Sequence, residues 1–298
     1  MDDIMRRNLT VTFIGGDLRQ IWAANRLAES GYIVRLIGFD CEELPEFHTE
    51  INRFSELENG ISGADIVILP LPYTTLQEQI NAPFSIKPIY TSEVMRKIQA
   101  EQIVFVGKAD ERLKALAELY EVHIIDYFHR EELNVLNCIP TAEGAIAIAM
   151  QETPFTLHDS KCLILGYGRI GKILARDLKG LGAKVAVSAR KYSDLAWIKS
   201  EGYSAVQLSE LSDIIGKYDI IFNTVPAIIL DFKLLSKVRN DTLVIDLASR
   251  PGGIDFESAG ELGKNVIRAL SLPGKVAPHT AGEIIKDTIV NILNELGV

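Results

Sequence analysis

Cysteine is scarce in this chain. Cys41, Cys138 and Cys162 are the three among 298 residues, far apart and at no metal-ligand spacing, which leaves reduced, buried thiols and points to a reducing compartment. Positive charge is also in deficit, with 31 Lys and Arg against 40 Asp and Glu and a formal net charge of -9. That balance disfavours nonspecific attraction to nucleic acid or an anionic membrane, which bind clustered Lys and Arg, and leaves room only for a local basic pocket. There is no charge block, low-complexity tract or Pro/Gly/Ser-rich linker, so extended disorder is excluded. No uncharged stretch approaches the length of a membrane span, and the start, Met1 to Arg7, runs into a short amphipathic strand instead of an apolar signal core. A cytoplasmic protein without a bound metal is the expectation.

What is present is a globular composition, 47% hydrophobic and 24% charged, over a length that suits two domains better than one. Short apolar runs alternate with helical intervals, the pattern of a parallel sheet covered on both faces. In the first half, Val11-Thr12-Phe13-Ile14 ends in Gly15-Gly16, a helix follows through Leu27, and a second strand runs from Ile33 to Ile37. In the second half, Cys162-Leu163-Ile164-Leu165 ends in Gly166, a helix follows through Leu178, and a second strand runs from Lys184 to Val187. The third strands also correspond, Asp65 to Pro72 with Asp219 to Pro226. Later strands are read at Ile103 to Val106 and His123 to Ile125, and at Leu243 to Leu247 and Val266 to Ala269.

The chain thus reads as an internal repeat, α/β throughout, of two doubly wound parallel-sheet domains. Residues 1–140 form a flavodoxin-like substrate domain and residues 141–277 a Rossmann dinucleotide domain. The latter includes a connecting helix, Ala145 to Met150, entered through Pro140-Thr141-Ala142-Glu143-Gly144 with Glu143 near its positive end. Within residues 278–298 a terminal helix, Ala281 to Leu296, carries Ile284, Ile285, Ile289, Ile292, Leu293 and Leu296 on one side, and it is expected to return to the first domain.

Only the second half has a phosphate loop. Gly166-Tyr167-Gly168-Arg169-Ile170-Gly171 is a Gly-x-Gly-x-x-Gly fingerprint between a strand and a helix, the context that gives the motif its meaning. Gly166 permits the turn, Gly168 lets backbone amides approach a pyrophosphate, and Gly171 lets helix pack on strand. Where an NAD site offers a carboxylate to the ribose, this chain has Ser188-Ala189-Arg190-Lys191, which suits the 2'-phosphate of NADP, with NAD and a merely solvated basic turn as alternatives. Thr224, Val225 and Pro226 should line the nicotinamide side. The equivalent first-half turn, Gly15-Gly16-Asp17-Leu18-Arg19-Gln20, puts a carboxylate where a pyrophosphate would sit. Either Asp17, Arg19 and Gln20 face a cleft and hold a polar substrate, or Asp17 caps the helix beside a surface Arg. Asp17, Arg19, Thr141 and Glu143 are expected together on the cleft face of the first domain.

Three stretches, Ile14-Gly15-Gly16-Asp17-x-Arg19-Gln20, Ile139-Pro140-Thr141-x-Glu143-Gly144 and Leu247-Ala248-Ser249-Arg250-Pro251-Gly252-Gly253, together resemble the family of dipicolinate synthase A subunits. The likeness extends through Leu272 to Pro278 and Thr280-Ala281-Gly282, and so over essentially the whole chain. It implies an NADP-dependent oxidoreductase that forms pyridine-2,6-dicarboxylate from dihydrodipicolinate, or its hydrated precursor from lysine biosynthesis, in the mother cell of sporulating bacteria. It also implies the flavoprotein-like B subunit of dipicolinate synthase as partner. The chain is more distantly similar to the D-2-hydroxyacid dehydrogenases, in which an Arg follows the strand matching Leu243 to Leu247 and a Pro-His pair precedes the last helix; here these are Arg250 and Pro278-His279. Arg250, on a Pro-Gly-Gly turn, could aim a fork at a substrate carboxylate or simply tie the turn. His279 could move a proton or cap the terminal helix. A 2-hydroxyacid-type dehydrogenase and a noncatalytic NADP-binding scaffold remain as alternatives, and paired domains with an apolar terminal helix are compatible with a homo-oligomer.

Overall fold

The computed structural model describes residues 9–298 except 43, 45, 46, 49 and 77. The expectation drawn from the start of the chain, residues 1–7, lies outside the described residues. The chain divides into two compact units, Met1–Leu136 with Ala277–Val298, and Asn137–Val276.

In the first unit the elements run β1 (Thr10–Ile14), α1 (Leu18–Glu29), β2 (Ile33–Ile37), β3 (Asn52–Phe54), α2 (Leu57–Ile61), β4 (Ile66–Ile68), α3 (Thr91–Lys97), β5 (Ile103–Val106), α4 (Glu111–Leu119), β6 (Ile124–Asp126) and α5 (Glu131–Leu136). β1, β4 and most of β5 are buried because both faces of the sheet are covered, which is why their residues are continuously apolar. All strands are parallel, in the order β3-β2-β1-β4-β5-β6. The five strands read from the sequence keep their doubly wound order, but β3 adds a sixth at the edge beside β2. The sheet therefore has the dinucleotide-domain order in place of the expected flavodoxin-like one. β3 is short, polar and largely exposed, so no apolar run announces it.

The second unit repeats that plan. α6 (Cys138–Glu152) leads into β7 (Lys161–Leu165), α7 (Arg169–Gly180), β8 (Lys184–Ala189), α8 (Tyr192–Ser200), β9 (Ser204–Gln207), α9 (Leu211–Ile214), β10 (Ile220–Asn223), α10 (Phe232–Leu235), β11 (Leu243–Asp246), α11 (Phe256–Glu261), β12 (Asn265–Arg268) and α12 (Leu272–Val276). Its parallel sheet has the order β9-β8-β7-β10-β11-β12, with β9 again an edge strand that the apolar pattern does not reveal. α13 (Pro278–Leu296) closes the chain and belongs to the first unit. Its Ile284, Ile285, Ile289, Ile292 and Leu293 share a core with Ile21, Ala24 and Leu27 of α1. The crossing is close: a Cβ at Gly282 would lie 2.5 Å from the Arg19 carbonyl and 2.6 Å from Trp22 Cβ.

α6 corrects the reading of the connector. Pro140 to Gly144 do not precede the helix but lie inside it. Pro140 is tolerated because it occupies the first turn, where a backbone N–H has no helical acceptor. Gly144 sits mid-helix, where a Cβ would press on Leu272 and Val276 of α12, each at 3.2 Å. Glu143 is accordingly the sixth helical residue and exposed, away from the positive end. The stretch Glu131–Glu152 is long and apolar enough to cross a membrane by length and composition, yet Ala142, Ala145, Ile146 and Ala149 are buried in the core of the second unit, the helix packing on α7, α12 and β11 as an ordinary core helix does. Cys138 and Cys162 are buried, whereas Cys41 is half-buried. Burial pushes the Cys162 thiol up to about 11.

Candidate functional site

At the end of β7 the chain must reverse sharply, and Gly166 does so at φ +98. A Cβ there would lie 2.6 Å from Thr224 Oγ1 and 2.7 Å from Val225 Cγ2, and one at Gly171 only 2.3 Å from the Gly166 carbonyl, so both positions exclude a side chain. Gly168 differs. It is the N-cap of α7 at φ -81, without a side-chain cap, and nothing lies within 4 Å of the position its Cβ would take. Open space therefore faces the uncapped first turn of a twelve-residue helix, beside exposed Arg169 and half-buried Ile170. Unpaired N–H groups and the positive helix end suit a pyrophosphate there.

β8 delivers the second part. Ser188 accepts Gly166 N–H through its carbonyl at 2.9 Å, which ties the loop to the strand, and its buried hydroxyl has no partner among the described residues. Ala189, buried at the strand end, offers no carboxylate. Arg190 and Lys191 follow, both exposed, and neither side chain bonds to another described residue; Arg190 uses only its carbonyl, toward Gln207 Nε2 at 3.2 Å. The residues present fit a phosphorylated ribose.

β10 ends at Asn223. Thr224 then donates to the Leu165 carbonyl through Oγ1 at 2.8 Å, Val225 is half-buried, and Pro226 is exposed. Beyond β11 exposed Arg250 stands on a turn that closes at Gly252 with φ +96. The sequence reading missed Asn223 and Asp246. Each is fully buried, and Asn223 Nδ2 donates to Asp246 Oδ1 at 2.8 Å. The one available signal is that a polar residue closes each of two otherwise apolar strands, Ile220–Asn223 and Leu243–Asp246.

In the first unit the divergent turn combines both readings. Asp17 caps α1, accepting Arg19 N–H at 3.0 Å, and it also grips the Arg19 guanidinium, with Nε to Oδ1 at 2.9 Å and Nη2 to Oδ2 at 2.7 Å. Arg19 is not a surface residue: its side chain is 9% exposed, and Nη2 also donates to the Leu71 carbonyl beyond β4. Gln20 is wholly buried, with Nε2 donating to Tyr127 Oη at 3.3 Å, so it does not face a cleft. Tyr127 donates in turn to the Leu69 carbonyl at 3.0 Å, and burial raises its phenol far above the ordinary range. Thr141 and Glu143 are not on the first domain. They lie on α6 of the second unit, where Thr141 Oγ1 donates to the Asn137 carbonyl one turn back at 2.7 Å.

His279 is the second residue of α13; the N-cap is Ala277. Its ring meets Trp22 edge-on at 4.6 Å, and Nε2 lies 2.7 Å from Arg26 Nη2. A guanidinium can only donate, so Nε2 accepts and this contact requires the neutral ring with its proton on Nδ1. No group of three or more His, Cys, Asp and Glu is placed to hold a metal among the described residues. A hollow of about 630 Å³ lined by Lys161, Lys179, Lys184 and Tyr203 opens at the amino ends of β7, β8 and β9, the opposite end of the sheet from the glycine loop.

Residues 10–128 match the family of N-terminal domains of the dipicolinate synthase A subunit. Residues 142–256 match that of the NAD binding domain of D-isomer specific 2-hydroxyacid dehydrogenases, which supports a nicotinamide cofactor in the second unit. The A subunit of dipicolinate synthase from Bacillus subtilis (strain 168) is 34% identical over 293 residues, covering 98% of each chain. The crystal structure of the dipicolinate synthase A subunit from Bacillus halodurans is similar with a TM-score of 0.87 at 33% identity, covering 96% of this chain and 97% of that one. The corresponding crystal structure from Bacillus subtilis gives 0.86 at 34% identity, covering 97% of each.

Proposed function

The chain belongs to the family of dipicolinate synthase A subunits, and from that premise we propose that it oxidises dihydrodipicolinate, or its hydrated precursor, to pyridine-2,6-dicarboxylate with NADP. The observation that carries this reading is the open cradle at Gly168 followed, one strand on, by Ala189 and the side chains of Arg190 and Lys191, unpaired among the described residues. Arg169 and Ile170 would flank the pyrophosphate, Arg190 and Lys191 would neutralise the 2'-phosphate, and Thr224, Val225 and Pro226 would border the nicotinamide. Bound there, the cofactor supplies a hydride acceptor, with aromatisation of the product ring as driving force. Arg250 orients a substrate carboxylate through its fork, and Arg19, braced by Asp17, is the first unit's candidate for a carboxylate. The flavoprotein-like B subunit is the partner, and the setting is the mother cell of a sporulating bacterium.

Arg250 matters more than His279 in this reading, because the imidazole already spends Nε2 on Arg26, whereas the guanidinium of Arg250 is exposed and bonds to no other described residue. Arg250→Lys, which keeps the charge and loses the bidentate geometry, is expected to lower turnover about a hundredfold, and His279→Gln less. The assay mixes the chain with NADP+ and freshly generated dihydrodipicolinate, with and without the partner protein, and follows reduced cofactor and pyridine-dicarboxylate absorbance together. Reduction of 2-keto acids in its place would assign a 2-hydroxyacid dehydrogenase. Tight NADP binding without turnover would assign a scaffold, and an active Arg250→Lys beside a dead His279→Gln would reverse the two roles.

A further inference from the structure

We infer that Asp246, paired with Asn223, is a positioning residue that sets where Arg250 stands without itself touching a ligand. The inference rests on the role given to Arg250 above. Asp246 and Asn223 are in register at the ends of neighbouring strands, and both are 0% exposed. Asp246 Oδ1 accepts from Asn223 Nδ2 at 2.8 Å and from Ala248 N–H at 3.2 Å, while Oδ2 accepts from Gly253 N–H at 3.4 Å. Ala248 and Gly253 bracket the turn that bears Arg250, so one carboxylate grips both of its ends. Asn223 fixes the other segment: Nδ2 donates to the Val225 carbonyl at 3.0 Å, and Oδ1 accepts Val225 N–H at 3.3 Å. Two loops that leave adjacent strands are thereby locked to one buried pair.

The chemistry calls for an aspartate, because every partner is a donor and an ionised carboxylate accepts only. An asparagine would turn an NH2 group toward one of those donors and leave it unpaired. The packing is equally demanding. A Cβ at Gly253 would lie 2.2 Å from Asn223 Nδ2 and 2.5 Å from the Val225 carbonyl, and one at Gly252 2.9 Å from Asp246 Oδ2, so the turn is pressed directly onto the pair. Arg250 itself is exposed and anchored by nothing else among the described residues, which makes the turn's ends the determinant of where its fork points.

The test is a double-mutant cycle with an exchange measurement. Asp246→Asn is expected to lower kcat about 10- to 100-fold, as displacement of a group by an ångström can, to leave NADP affinity within about twofold, and to speed amide exchange at Ala248 and Gly253. Added to Arg250→Ala it should cost less than about twofold more, because both changes act through one guanidinium. Full additivity of the two losses, or unchanged exchange at the two amides, overturns the inference. Undiminished turnover in Arg250→Ala removes the reading of Arg250 on which it rests, and faster exchange in Asp246→Asn would then leave Asp246 a structural latch only. Should Asp246→Asn not fold, Asp246→Ser, too short to reach both the Ala248 and Gly253 amides, carries the same cycle and the same exchange readout.

Discussion

In the proposed reading, Arg190 is the residue on which cofactor choice turns. Its side chain bonds to no other described residue, and the preceding Ala189 supplies no carboxylate that would repel a 2'-phosphate. Arg190→Ala is therefore expected to weaken NADP about ten- to a hundredfold, the worth of a charge-assisted contact of roughly 1.5–3 kcal/mol, with NAD nearly unchanged. Titration of both cofactors checks this, and equal losses would count against it. The basic pair and the three glycines were legible in the sequence because each answers a requirement that few residue types meet: a positive φ, an absent Cβ, a permanent charge. Asp246 and Asn223 were not, since a lone polar residue closing an apolar strand has no spacing to betray it. The burial of Arg19 was hidden for a related reason, its carbonyl partner Leu71 being 52 residues away.

At the level of elements the glycine loop allows folding and binding to be separated. Gly168→Ala meets open space at an allowed backbone angle, so it should leave thermal stability unchanged while lowering NADP affinity by blocking the approach to the first turn of α7. Gly166→Ala and Gly171→Ala should instead destabilise the protein by about 1–3 kcal/mol, since the added methyl meets Thr224 or the Gly166 carbonyl. Melting and titration of the three variants check the distinction. The strand ends carry a pH signal of their own. Burial acts to raise the Asp219 carboxyl, but the Lys161 N–H at 2.8 Å and Arg239 at 3.0 Å outweigh it and hold it below its ordinary 3.8. With a depressed folded-state value, its stabilisation is complete above that ordinary value and is lost as pH falls through the lower folded one. Asp219→Asn should thus flatten the acid limb of a stability-versus-pH curve, lowering stability at pH 7 and converging on the parent where Asp219 is protonated. Sequence periodicity located the buried strands because both faces are covered, and missed β3 and β9 because edge strands need no apolar run. It placed α6 too late because Pro140 and Gly144 mimic a break, when one sits in a permissive first turn and the other makes room for α12.

On the scale of the whole molecule, the two units differ in how the chain builds them. The second is one continuous segment, Asn137–Val276, whereas the first needs Ala277–Val298 brought back from the far end of the sequence. α13 is no ornament to the first unit: five of its apolar side chains complete the core that Ile21, Ala24 and Leu27 of α1 enter from the other side, and Gly282 lets the two helices touch. Removing residues 277–298 strips that face to water, and losing several large buried side chains at about 1.5–3 kcal/mol each is comparable to the whole stability of an ordinary domain. The truncated chain is therefore expected to lose the cooperative transition of the first unit. The second unit keeps its sheet, its glycine loop and its Arg190 turn, so residues 137–276 expressed alone should fold and bind NADP within about threefold of the full chain, an affinity change of under 1 kcal/mol. NADP at about a hundred times its Kd should then raise the unfolding free energy of that fragment by about 2.7 kcal/mol, the linkage expected when a ligand binds only the folded form. Calorimetry of the truncated chain and of the fragment, each with and without NADP, measures both effects. A fragment that folds but shows no NADP-dependent shift would mean that residues outside it complete the cofactor site, and the placement of that site wholly on the second unit would have to be given up.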